Sequence, residues 1–271
     1  MEVVILKNSD QVAQYAAELV GTLLKSRSDA VLGFATGSTP LALYQRLVAD
    51  YQAGKISFKT VTSFNLDEYL GVAPDNPQSY RSYMNRELFD QVDIDKQNTF
   101  VPACRDNENP HDVGLGYEQQ MRGAGGVDLQ VLGIGANGHI GFNEPSSSLR
   151  SRTRVKTLTR QTLQDNSRLF ARDEFQPKLA MTMGIASIMD ARKILLLATG
   201  AGKAGAVADM IEGPLTAMCP ASILQMHEHA TILLDEQAAS GLQNRDYYDW
   251  ANVQNESLQD RFGLLADPIG S

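Results

Sequence analysis

Short apolar runs, each passing into a polar or glycine-bearing loop, recur along this chain at Val3–Leu6, Ala30–Ala35, Thr60–Leu66, Val127–Ile134, Ile194–Ala198 and Thr231–Leu234. Runs of this length with little alternation read as strands buried on both faces. Helical periodicity fills the intervals. Val12, Ala16, Leu19, Val20, Leu23 and Leu24 place a helix over Ser9–Lys25, and Leu43, Leu47 and Val48 mark another after Pro40. Ser79–Phe89 and a stretch around Asp112–Arg122 also read as helical, and Thr199–Lys203 opens a further helix. Strands alternating with helices imply an α/β fold, a doubly wound and mostly parallel sheet between two helical layers. No internal repeat or linker divides the 271 residues. The expectation is one domain over residues 1–271, with a loosely held polar tail from about residue 250.

Composition narrows the function classes. A hydrophobic fraction of 43% supports a full core. No apolar stretch is long enough to cross a membrane, and the start MEVVILKNSD lacks a basic, apolar, small-residue signal pattern. Cys104 and Cys219 form no metal-type pair, which suits a reducing cytoplasm. The four histidines are scattered, and no metal site is expected; His227 and His229, flanking Glu228, read as surface residues. The net charge of −8 argues against bulk nucleic-acid or anionic-membrane binding. Cations are nevertheless concentrated at Arg150, Arg152, Arg154, Lys156, Arg160, Arg168 and Arg172. If Ser151–Thr157 is a strand, the first four share one face. That face is either a solvated basic edge or an anion site, and the absence of interleaved aromatics disfavours nucleic acid.

Four strand-ending loops carry groups suited to chemistry. TGSTP, Thr36–Pro40, offers free N–H groups at a helix start, with Gly37, Ser38 and Thr39 as a phosphate cradle; the same letters also cap ordinary helices. FNLDEYLG, Phe64–Gly71, sets Asp67 and Glu68 side by side, as helix cap or as general base. GIGANGHIGFNEP, Gly133–Pro145, holds Asn137, His139, Asn143 and Glu144; an imidazole and a carboxylate five residues apart suit proton transfer near neutrality. TGAGKAG, Thr199–Gly205, puts Lys203 at a glycine-rich helix start but lacks the spacing of an ATP-binding phosphate loop.

FNLDEY, GIGANGHIGFNEP, SRTRVKTLT, Asn166–Arg168 and GAGKA stand in the order and spacing of the glucosamine-6-phosphate deaminase family, and the chain resembles that family from about Val31 to Leu234. The resemblance implies a modified Rossmann-like fold and a hydrolase of amino-sugar catabolism. Such an enzyme converts glucosamine 6-phosphate and water to fructose 6-phosphate and ammonia, without metal or organic cofactor. It implies Asp67 as the proton-abstracting carboxylate, His139 as the ring-opening group supported by Glu144 and Asn137, and phosphate contacts from Ser38, Thr39, Arg168 and Lys203. Many members carry Asp where this chain has Asn137; Asn can orient His139 but brings no full charge to an imidazolium. Ser147, Arg154 and Lys156 match the basic motif of a second phosphosugar site found at subunit contacts in allosteric members, which would need a homo-oligomer; a tail aromatic, Tyr247 or Tyr248, is the partner that site would require. A basic strand without regulatory role fits the same residues. Two other readings compete: a 6-phosphogluconolactonase-like hydrolase, and a non-catalytic phosphosugar sensor.

Overall fold

A computed structural model describes residues 1–166 and 176–262. Its main sheet holds seven parallel strands: β1 (Glu2–Leu6), β2 (Val31–Phe34), β3 (Thr62–Asn65), β5 (Thr99–Phe100), β6 (Leu129–Leu132), β9 (Lys193–Ala198) and β10 (Ala230–Asp235). Their spatial order is β1-β10-β9-β6-β2-β3-β5. A small antiparallel sheet stands beside it, with β8 (Leu179–Thr182) between β4 (Asp67–Tyr69) and β7 (Arg154–Thr157). Two helical layers cover the main sheet. One packs α1 (Ser9–Ser26), α2 (Ser38–Gln52) and α3 (Tyr80–Met84), which runs on as a wider turn through Asn85–Phe89, over Leu32, Phe34, Leu195, Leu197 and Leu233. The other packs α4 (Pro110–Gly123), α6 (Ile185–Met189) and α7 (Ala204–Ile211) over Val31, Leu132, Ile194, Leu196 and Ile232. Successive residues of one strand thus enter different cores, which is why the strands read as unbroken apolar runs.

The strand order creates one crevice. From β2 the chain winds outward through β3 to β5, then returns to the other side of β2 as β6 and winds outward through β9 to β10. The loops leaving β2 and β6 therefore diverge to opposite layers, which is where open α/β sheets bind ligands.

Several local expectations change. The run ending at Leu66 does not stop there: after β3 the chain enters β4, whose Asp67 pairs with Thr182 of β8. The basic stretch is a strand only over β7, and Arg152 turns away to an ion pair with Asp190. Only Arg154 and Lys156 share a face, both half-buried. His227 is not a surface residue: it is 8% exposed, and its Nε2 lies 2.8 Å from the carbonyl of Ala191. His229 is exposed. α8 (Arg245–Phe262) runs past residue 250, and Asn252 donates to the carbonyl of Val3 at 2.8 Å; the remainder of the expected tail, residues 263–271, lies outside the described residues. No described helix is long and apolar enough to cross a membrane.

Candidate active site

A cavity of about 490 Å³ opens at the crevice, walled by the loops after β2, β3, β6 and β9. The β2 loop supplies Thr36 to Leu41. Gly37 has φ +113°, a backbone shape that glycine adopts without strain, and it lets α2 begin at Ser38, so that the helix start lines the cavity. Tyr83 fixes this loop from the other wall by donating to the carbonyl of Gly37 at 2.6 Å. Lys203 lines both this cavity and a smaller one that it shares with Ser38 and Thr39. A helix N-terminus beside an ammonium favours an anion.

The β6 loop carries the imidazole. Gly135 donates to the carbonyl of His139 at 2.9 Å, closing a tight turn that lays the ring against Gly135. A Cβ on Gly135 would stand 2.2 Å from the ring, so this position tolerates glycine alone. His139 Nδ1 lies 2.7 Å from Asn137 Oδ1, Asn137 Nδ2 donates to Glu144 Oε2 at 2.9 Å, and Glu144 Oε2 is 3.6 Å from Nδ1. Glu144, 3% exposed, also accepts from the Thr162 hydroxyl and, at 3.2 Å, from the Thr159 hydroxyl. Burial raises its pKa, but the nearby His139 ring and the donors of Thr162 and Asn137 outweigh that and hold it at about 2. An ionised carboxylate only accepts, so Asn137 must present its NH₂ to Glu144 and its oxygen to His139. Nδ1 then keeps its hydrogen, so in the singly protonated ring the lone pair belongs to Nε2, and His139 lines the cavity.

The two adjacent carboxylates of β4 have separate surroundings, because neighbouring side chains on a strand face opposite ways. Glu68 accepts from the backbone N–H groups of Tyr69 at 2.9 Å, Tyr80 at 3.0 Å and Arg81 at 3.0 Å, so it caps α3. Asp67 is 5% exposed, lines the cavity and has no hydrogen-bond partner among the described residues. Burial, and then the charge of Glu68, push its pKa up to about 8. Tyr69, Tyr80 and Phe142 form an aromatic cluster with ring centroids 5.0–5.9 Å apart, and Tyr80 and Phe142 line the same cavity as Asp67.

Of the residues singled out in the sequence, Asp67, His139, Gly37, Ser38, Thr39 and Lys203 line one cavity, and Asn137 and Glu144 stand behind His139. Arg168 lies outside the described residues. The basic face is divided. Arg154 donates to Asn143 Oδ1 at 2.9 Å, Lys156 is beside it on β7, and Ser147 is 2% exposed with no partner for its hydroxyl among the described residues. Tyr248 is tied to Glu212 at 3.1 Å, whereas Tyr247 is exposed. Sequence reasoning missed Thr159, Thr162, Tyr80 and Tyr83. Hydroxyl residues after a strand carry no periodic signal, and these reach the site only through tertiary packing.

A family described as glucosamine-6-phosphate isomerases/6-phosphogluconolactonase matches residues 7–233. The chain is 62% identical over 264 residues to a glucosamine-6-phosphate deaminase of Colwellia psychrerythraea, covering 97% of this chain and 98% of that one. It is 58% identical over 258 residues to a deaminase of the same name from Shewanella woodyi, covering 95% and 97%. Among solved structures, a monomeric glucosamine-6-phosphate deaminase superposes with a TM-score of 0.86 at 42% identity, over 89% of this chain and all of that one. A 6-phosphogluconolactonase from Leishmania guyanensis, 22% identical with a TM-score of 0.68 over 89% and 98%, shares the fold. With its matched length, its relatives and its site geometry in agreement, the chain belongs to the glucosamine-6-phosphate deaminase family.

Proposed function

We propose that this chain converts glucosamine 6-phosphate and water to fructose 6-phosphate and ammonia. The observation that carries the reading is the meeting, on a cavity with an anion-favouring end, of a buried carboxylate without a hydrogen-bond partner among the described residues and an imidazole whose Nδ1 is tied to Asn137. The phosphate takes the N-terminus of α2 and Lys203, and its binding energy aligns the sugar. His139 Nε2 accepts the proton of the anomeric hydroxyl and delivers one to the ring oxygen, opening the pyranose. Asp67 removes the proton from carbon 2 and returns one to carbon 1, while the aldehyde oxygen gains a proton and the ammonium gives one up, leaving an iminium at carbon 2. Water adds to that carbon, and the nitrogen departs as ammonia. The substrate's ammonium on carbon 2 lies next to the abstracted proton, so its charge favours the ionised Asp67 that the empty site disfavours. Ser147, Arg154 and Lys156 are proposed as a second phosphosugar site, and the basic strand as a contact between copies of the chain.

Ammonia release from glucosamine 6-phosphate, measured with and without N-acetylglucosamine 6-phosphate, tests both parts. Hydrolysis of 6-phosphogluconolactone without ammonia release from the amino sugar would replace this reading with the lactonase one. A rate indifferent to the acetylated sugar would remove the effector site.

A further inference from the structure

Glu144 faces two ways. Its Oε2 serves Asn137 and stands near His139, whereas its Oε1 takes the Thr162 hydroxyl and the Thr159 N–H at 3.4 Å, with the Thr159 hydroxyl at 3.2 Å sharing its one hydrogen between Oε1 and the Thr162 oxygen. Thr159 is also the cap of α5 (Arg160–Asn166), accepting from the Thr162 N–H at 3.2 Å, so the two hydroxyls are positioned by the helix start itself. Thr162 is buried, and Thr159 and Thr162 are 3.0 Å apart through their hydroxyls. With Oε1 held by this segment, Oε2 stays 3.6 Å from Nδ1, beyond hydrogen-bond reach, and takes the amide of Asn137 instead.

We propose that Thr162 is a positioning residue for the ring-opening histidine: by holding Oε1 of Glu144 it keeps Asn137 between the carboxylate and the imidazole and so keeps the Nε2 lone pair in the cavity. The inference rests on the deaminase reading for its kinetic part and on geometry alone for its tautomer part. Thr162 acts through Glu144 and Asn137 in this role, although its side chain also reaches the cavity wall. Other titratable groups facing the relay are Asp67 on β4, Lys203 after β9 and Cys219, whose Sγ would lie 2.6 Å from a Cβ on Gly138. Arg154 of β7 is turned to Asn143, Arg160 opens α5, and Arg86 and Glu87 pair with each other at 2.7 Å on the far wall. None of these donates to Glu144 Oε1 among the described residues.

The test is Thr162→Val, which keeps the branched shape and removes the hydroxyl, alongside Thr162→Ser, which keeps the hydroxyl. Without that donor the Glu144 charge is less dispersed and free to approach Nδ1, so the imidazole holds a proton to higher pH. In T162V the acidic limb of the kcat profile for glucosamine 6-phosphate, read in the complex where the substrate's ammonium favours ionised Asp67, should move up by about half a unit to one unit. Its kcat at neutral pH should fall roughly tenfold, the scale of one lost charge-assisted bond. T162S should restore both. In the unliganded full-length chain, ¹⁵N shifts of the His139 ring should report Nδ1–H in the wild type and T162S, and a more protonated ring in T162V. An unmoved limb and unmoved ring shifts in T162V, or a T162S as impaired as T162V, would overturn the role. Should T162V not fold, the same ring shifts in T162S and T162A decide it, T162A being expected to follow the valine pattern. If the wild type releases no ammonia, the reaction assigned above fails, and the ring shifts still decide what Thr162 does.

Discussion

At the scale of single residues, the site depends on groups whose ionisation is set by what surrounds them. Asp67 keeps its proton in the empty protein because burial and Glu68 disfavour the charge. Asp67→Asn should abolish ammonia release while leaving phosphosugar binding largely intact, since the amide keeps the shape and cannot accept the carbon-2 proton. Deuterium incorporation from solvent into the product at the wild-type rate would assign the base elsewhere. Asn137 separates two groups that would otherwise pair directly. Asn137→Asp takes away the donor to Glu144 and adds a negative charge beside the ring, so His139 should hold its proton to higher pH and the acidic limb of the rate profile should rise. A profile that stays in place would reduce Asn137 to a turn residue.

At the scale of elements, loops do the chemistry and helix starts arm them. The α2 N-terminus is open toward the cavity, with Gly37 at its cap and Tyr83 pinning the loop from α3. Lys203→Ala should weaken binding of glucosamine 6-phosphate by roughly 1.5–3 kcal/mol, the range for a hydrogen bond to a charged group, and leave the weak binding of unphosphorylated glucosamine nearly unchanged. Titration calorimetry of both sugars checks this; an equal loss for both would move the phosphate away from Lys203. The α3 start, by contrast, is closed by Glu68. Glu68→Gln puts an NH₂ in place of one of the two oxygens to which the N–H groups of Tyr69, Tyr80 and Arg81 donate, so it should cost about 1–3 kcal/mol and lower the melting temperature. It also removes the charge that helps to keep Asp67 protonated, so the ionisation of Asp67 should move to lower pH. Calorimetry and the pH–rate profile of one variant read both effects.

At the scale of the whole molecule, the fold carries a cost at its site. Asp67 has a folded-state pKa of about 8 against an ordinary 3.8, so between those values the folded chain binds the extra proton and stability falls as pH rises. Asp67→Asn should therefore melt higher than wild type at pH 9, with the gap closing toward pH 4; equal melting curves at pH 9 would mean that Asp67 is not destabilised by its burial. The alternation of apolar runs and helical stretches by itself determined the parallel sheet and its two covering layers, because burial on both faces leaves an unbroken apolar signature in each strand. The glycine-bearing loops and their few titratable residues determined the family resemblance, and with it Asp67, His139 and Lys203 as candidates. Other features were decided only in three dimensions. Asp67 and Glu68 are adjacent letters, and only the pairing of β4 with β8 sends one to the cavity and the other to the cap of α3. The basic residues between Arg150 and Lys156 alternate like a strand, yet Arg152 leaves the row for Asp190 because the strand begins at Arg154. Thr159 and Thr162 reach Glu144 across a gap in sequence that no local period records, since hydrogen bonds between loops depend on how the layers meet rather than on the pattern of either segment.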